Sequence, residues 1–332
     1  MVVFAVNTNR CRRMVSDGEK VCVRRGRPTC RSARCRAGND KGVVVIAEEP
    51  RLLATCWTSA GDAAPQVGDE QSPVDLGVRM RTAVEAGWKG FGLVHADLVA
   101  YRDAHGLDAL GALARDSGVE RLELEFLGDW WTSGERRAAS DTVRRDLLEA
   151  AGALGVPTIK IAAAMNEAPP EDLMLTELSS LADEARDHGT RVAIEPMPFS
   201  SNIRTIQDCA RVLDAVSHPS VGAVVDIWHV FRYGTEYATI PEVLSADRIF
   251  VVELCDGAAE PEGTLWDDTV NLRRYPGAGV FDVPEFIRSV RATGFDDYWG
   301  VEIISEAHRA RPIAESVPDV AEATRACFRA AS

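Results

Sequence analysis

The chain has 332 residues, 46% hydrophobic and 27% charged, the balance of an ordinary globular protein. Its formal net charge of −14 repels phosphate backbones, which argues against nucleic acid as a main partner. No apolar run approaches the roughly 18 residues of a membrane helix, and arginines break up the N-terminus before a signal-like apolar stretch develops, so a cytoplasmic protein with no membrane partner is expected.

The first segment differs from the rest. Residues 1–42 carry 11 Lys and Arg against 3 Asp and Glu, a net of +8, which leaves −22 for the remainder. Cys11, Cys22, Cys30 and Cys35 fall here with 10, 7 and 4 residues between them, unlike a paired C-x2-C zinc module, and no His accompanies them. Residues 1–44 therefore read as a basic extension, disordered or derived from a mis-called start, and residues 45–332 as the folded unit. Cys56, Cys209, Cys255 and Cys327 are scattered as reduced core cysteines would be.

From Val43 onward short apolar runs alternate with helical patterns, the mark of βαβ units and a parallel sheet. The runs predict strands at Leu52–Thr58, Gly90–His95, Arg121–Leu127, Thr158–Ala163, Arg191–Glu195, Val221–Ile227, Ile249–Leu254 and Trp299–Ile304. Asp141–Gly155, Glu171–His188 and Pro284–Thr293 are among the predicted amphipathic helices between them. An open nucleotide-binding sheet would show G-x-G-x-x-G or G-x4-G-K-[ST], and neither occurs. Eight strands and about eight helices fit a single α/β domain, a closed (β/α)8 TIM barrel.

Buried parallel strands should be apolar throughout, yet four of these end on an acid: Glu195, Asp226, Glu253 and Glu302, at intervals of 31, 27 and 49 residues. The last interval contains a long loop, Gly257 to Asp282. In a barrel all four positions converge on the C-terminal mouth, where active sites are built. Four carboxylates at close range repel, and a divalent cation is the simplest remedy; all-oxygen ligation favours Mn²⁺ or Mg²⁺ over Zn²⁺. The blander alternative is that each acid caps the next helix or pairs with an arginine.

Around that cluster, His229 follows Asp226 by three residues and falls beside the expected metal site, within reach of a substrate. Arg274 stands before Gly277 and Gly279 on the long loop, as a substrate clamp or an ordinary surface arginine. Trp57 and the Trp130–Trp131 pair offer aromatic walls for a sugar or simply core packing. His95 ends the second strand as a candidate substrate contact, and Lys160, inside the fourth, needs a buried partner, structural or catalytic.

At these residues the chain resembles the sugar phosphate isomerase/epimerase family of xylose-isomerase-like TIM barrels. The likeness lies in VAIEPMP at 192–198, VGAVVDIWHVFRYG at 221–234, IFVVELCDG at 249–257 and YPGAGVFDVPEFIRSVRATGFDDYWGVEI at 275–303, in that order. The resemblance implies metal binding by Glu195, Asp226 and Glu302, and substrate contacts from His229 and Arg274. It departs at Glu253, where the family usually has a histidine, sometimes a glutamine. A glutamate still binds Mn²⁺ or Mg²⁺ but lowers the metal's electrophilicity; alternatively the metal has three protein ligands. Barrel endonucleases of the same broad family use additional histidines that this chain lacks.

The expected activity is isomerisation or epimerisation of a sugar or polyol derivative by proton transfer next to a carbonyl, with one divalent ion and with Glu195 and Glu302 as paired acid and base. A dehydratase of an inosose- or dehydroshikimate-like substrate shares the first step, and a non-catalytic sugar-binding barrel is a third reading. The sequence leaves the oligomeric state open, a homo-oligomer included.

Overall fold

The computed structural model describes residues 49–165 and 167–332; the basic extension expected at 1–44 lies outside them. Eight strands form a closed barrel in chain order. They are β1 (Leu52–Ala54), β2 (Gly90–Val94), β3 (Arg121–Leu127), β4 (Thr158–Ala162), β5 (Arg191–Glu195), β6 (Val221–Asp226), β7 (Ile249–Leu254) and β8 (Trp299–Val301). Every neighbouring pair is parallel, and β8 closes on β1 through the pairing Leu53↔Gly300. The expected barrel is what forms. No helix of the described residues is long and apolar enough to cross a membrane.

Three strands end one residue before the expected bound, and two, β1 and β8, end three or more residues before it. β1 stops at Ala54, and Cys56–Ser59 turns into a short helix. Thr55 and Thr58 explain the switch: both hydroxyls donate to the Val301 carbonyl, at 3.1 and 2.7 Å, and the Thr58 hydroxyl accepts from the Ile303 amide at 3.0 Å. At the mouth these hydroxyls thus join the Thr55 amide on the Val301 carbonyl and take up the Ile303 amide, where the ladder between β1 and β8 ends.

The helices start and stop on local chemistry. The helix Ile206–Val216 opens with a capping box between Thr205 and Asp208. The helix expected at Asp141–Gly155 runs from Gly134 to Leu154 and ends where Gly155 adopts φ +67°, a left-handed turn that suits glycine. Those expected at Glu171–His188 and Pro284–Thr293 span Glu171–Asp187 and Val283–Ala292.

The loop after β7 is tightly built. Asp256 accepts from the amides of Gly257, Gly277 and Phe281 at 2.8, 3.0 and 2.9 Å, and its backbone pairs with that of Arg274. Gly279 packs so closely on this turn that a Cβ would come within 2.2 Å of both Asp256 Oδ1 and the Gly257 carbonyl.

Most of the apolar core lies between the sheet and the helices. A separate small cluster, Ala193, Val224, Phe250 and Val251, fills the barrel lumen towards the strands' N-terminal ends. A register shift between β6 and β7, from Ala223↔Ile249 to Val224↔Val251, lets Phe250 turn in beside Gly222. Above this plug the lumen is charged.

Candidate active site at the barrel mouth

Side chains alternate across a strand, so the acid ending each run and the residue two before it share the lumen face. Glu195 ends β5, Asp226 ends β6, Glu253 lies one residue before the end of β7 and Glu302 follows β8. One oxygen from each of the four falls within 4.8 Å of the others, and all four residues are buried. The strand-end acids expected to converge do so.

β3 adds two more acids that the strand-end pattern did not single out, Glu123 and Glu125, both buried. The sequence signal was the alternation in Arg-Leu-Glu-Leu-Glu, which puts both carboxylates on one face. Their partner is Lys160 of β4, fully buried, whose Nζ lies 2.6 Å from Glu125, 2.5 Å from Glu253, 3.3 Å from Glu302 and 3.9 Å from Glu123.

A second cation enters from the long loop. Arg273, also buried, places Nη1 2.8 Å from Asp226 Oδ2 and 3.1 Å from Glu302 Oε2 and is braced by Thr269. From the sequence, Arg274 reads as a substrate clamp or an ordinary surface arginine, and the structure, which places the two side chains oppositely, favours the second for Arg274. Arg274 is 43% exposed, with Glu262 at 3.9 Å its nearest acid. Consecutive residues on extended backbone point to opposite sides, and the Asp256–Arg274 bridge fixes which one faces in.

Asp226 does both things the blander alternative allowed. Its Oδ1 caps the following helix, Ile227–Tyr233, by accepting from the Trp228 amide at 2.7 Å, while Oδ2 meets Arg273. His229, one turn along, has Nε2 3.2 Å from Glu195 and 3.4 Å from Asp226.

The electrostatics divide the acids. Burial pushes Glu302 up to about 7 against the opposing charges of Lys160 and Arg273, and raises Glu123 to about 7 as well. Glu253 moves up through burial and then the negative charge of Glu302. Burial acts the same way on Glu195, but the His229 hydrogen bond and charge, with Lys160 and Arg273, hold it at about 2. Burial acts to lower the Lys160 pKa, but the carboxylates of Glu125, Glu253 and Glu302 hold it well above the ordinary lysine range. Lys160 and Glu253 thus both move upward, Lys160 through the carboxylates around it and Glu253 through burial and its acidic neighbours.

Above the cluster opens a cavity of about 420 Å³. Glu125, Glu195, Arg273 and Glu302 reach it, whereas Asp226, Glu253 and Lys160 lie beneath. Trp57, Phe199, Trp131 and Trp266 supply aromatic walls. Trp57 does so from the short helix after β1 rather than from a strand. Trp130 instead packs in the core with its Nε1 donating to the Ala162 carbonyl at 2.9 Å. His95 lines the rim, with Nε2 3.0 Å from Asp146 Oδ2.

The donor set suits a hard divalent cation. Metal–oxygen distances near 2.1 Å put opposite ligands about 4.2 Å apart, a spacing that fits within the 4.8 Å limit of the tetrad. Glu253 Oε2 is buried with no hydrogen-bond partner, and the six acids outnumber Lys160, Arg273 and His229 together. Each carboxylate oxygen already in a hydrogen bond keeps a second lone pair.

Residues 80–327 match the family model described as xylose isomerase-like TIM barrel. Among curated proteins, a 3-dehydroshikimate dehydratase of Pseudomonas putida is 25% identical over 150 residues, 45% of this chain and 23% of that protein. An inosose isomerase of Bacillus velezensis is 25% identical over 154 residues, 46% of this chain and 52% of that protein. The matched stretches thus span about a quarter to a half of these relatives' length. Among solved structures, the IolI protein with a bound zinc atom superposes with a TM-score of 0.68 at 20% identity, covering 82% of this chain and 96% of that one.

Proposed function

The chain belongs to the xylose isomerase-like TIM barrel family, and from that premise we propose that it is a divalent-metal-dependent isomerase or epimerase acting on a sugar or polyol derivative. The observation that carries the reading is the convergence of Glu195, Asp226, Glu253 and Glu302 beneath an aromatic-walled cavity. One Mn²⁺ or Mg²⁺ ion would be held by these four acids, since oxygen-only ligation suits hard ions. When bound, the ion supplies a Lewis acid for a substrate carbonyl and favours the enediolate.

The chain's own residues would do the rest. Glu195 and Glu302 stand three strand positions apart around the barrel, and both reach the cavity, so they approach a bound substrate from different sides. One carboxylate removes the proton next to the carbonyl and the other returns one, which gives isomerisation or epimerisation. His229 and Arg273 hold substrate oxygens, Trp57 and Trp266 cover apolar faces of the ring, and His95 contacts it at the rim.

The charge of the cavity favours a neutral substrate. Of the arginines that line it, Arg136 is paired with Asp129 and Arg273 with Asp226 and Glu302. No cation there is left without an acid to receive a phosphate or carboxylate among the described residues. A keto-sugar or inosose fits that balance better than a phosphorylated sugar.

The likeness to a dehydratase supports a second reading with the same first step, in which a hydroxyl at the β carbon leaves as water. Incubation with Mn²⁺ and a panel of keto-sugars, inososes and dehydroshikimate in D₂O tests both. Deuterium beside the carbonyl without loss of mass supports the isomerase, loss of water the dehydratase, and no change in any compound overturns both.

A further inference from the structure

Lys160 has three N–H donors, and four carboxylates lie within ion-pair distance of its Nζ: Glu253 at 2.5 Å, Glu125 at 2.6 Å, Glu302 at 3.3 Å and, farthest, Glu123 at 3.9 Å. It is completely buried. Two of its partners belong to the four acids that gather at the mouth. The ammonium therefore already relieves, from inside the protein, the repulsion that a divalent ion would relieve. Gly300 contributes the space, because a Cβ there would come within 3.1 Å of Glu253 Cγ and 2.8 Å of the Val252 carbonyl.

Two cations that stabilise the same carboxylates also repel one another, and between buried groups that repulsion is poorly screened. We propose that Lys160 is a positioning residue and built-in counter-cation: it keeps Glu253 and Glu302 assembled when no divalent ion is present, and it weakens the affinity with which they take one. The inference rests on the metal-binding reading above. Lys160 sets how readily the site fills and empties, and it does so from below the cavity without touching substrate.

Mn²⁺ binding to the full chain, followed by calorimetry and by the electron paramagnetic resonance of the free ion, tests this without any turnover. Lys160→Met should bind Mn²⁺ at least about tenfold more tightly than the wild type, and Lys160→Arg close to the wild type. Lys160→Met leaves buried acids unpaired, so a second comparison reads the same effect on a background with one acid fewer. There, Lys160→Met combined with Glu253→His should bind more tightly than Glu253→His alone. Equal or weaker binding in the lysine-free member of each pair that folds, with wild-type binding intact, overturns the inference and leaves the metal reading standing. Binding only in lysine-free proteins supports it while removing the ion from the native function. No Mn²⁺ binding by any of the proteins overturns both.

Discussion

Arg273 and Glu302 lie 3.1 Å apart, Nη1 to Oε2, and the same nitrogen reaches Asp226 at 2.8 Å, so a single buried guanidinium ties the acid after β8 to the acid ending β6. Removing one partner of a buried ion pair costs about 3–5 kcal/mol because the other charge is left unpaired. Arg273→Met should therefore lower unfolding stability in urea by that order and abolish turnover. Arg274→Ala, at an exposed position, should stay within about 0.5 kcal/mol and keep activity. Equal losses in the two variants would return the clamp role to Arg274.

Glu195→Gln and Glu302→Gln each keep shape and remove a proton carrier. Each should slow solvent-deuterium exchange into a turned-over substrate by about 10²–10⁴-fold. Exchange at the wild-type rate in both would remove these acids from the proton path.

Metal occupancy should be visible as stability. An ion that binds only the folded chain adds about 2.7 kcal/mol at a hundred times its Kd, so saturating Mn²⁺ should raise Tm by several degrees over the protein in chelator. A Tm indifferent to Mn²⁺, Mg²⁺ and chelator alike would favour the non-catalytic sugar-binding barrel.

His308 gives a pH dependence away from the site. Its Nε2 lies 2.9 Å from the Thr58 carbonyl and Nδ1 2.9 Å from the Tyr275 hydroxyl, which pins the turn after β1 to the segment after β8. Burial, with the charge of Arg311, lowers its pKa from the ordinary value despite the Thr58 hydrogen bond. The unfolded chain then binds the proton more readily than the folded one, so stability falls as pH drops through about 6.5 towards the folded value. Melting between pH 8 and pH 5 should show a smaller drop for His308→Gln than for the wild type; identical slopes would refute it.

Gly300→Ala should destabilise by about 1–3 kcal/mol, since the added methyl has the Val252 carbonyl and Glu253 in its way. Circular dichroism during thermal melting measures it, and a Tm at or above wild type would show that Glu253 moves aside freely.

The barrel was legible because an apolar run ending in an acid is a strong local pattern, and four of them recur at βα intervals. The tetrad followed from topology alone, since parallel strands in one barrel must bring those ends together. Arg273 was not legible. Which of two adjacent arginines faces inward depends on the Asp256–Arg274 bridge, a contact between segments 18 residues apart. Glu123 and Glu125 could be read as lumen-facing from alternation, but their link to Lys160 depends on the register of β3 against β4, which the sequence does not print. The early end of β1 escaped for a similar reason: Thr55 and Thr58 find their acceptor only once β8 is alongside.

The apolar plug of Phe250, Val251, Val224 and Ala193, with the Arg191 guanidinium 3.8 Å from the centre of the Phe250 ring, makes the lumen a cul-de-sac. Everything bound for the carboxylate floor shares one doorway with everything that leaves. Order of arrival then matters: whatever is to occupy the floor has to be in place before a larger molecule fills the cavity above it, and a molecule that lingers in the cavity bars the next arrival. Traffic through this barrel is single file.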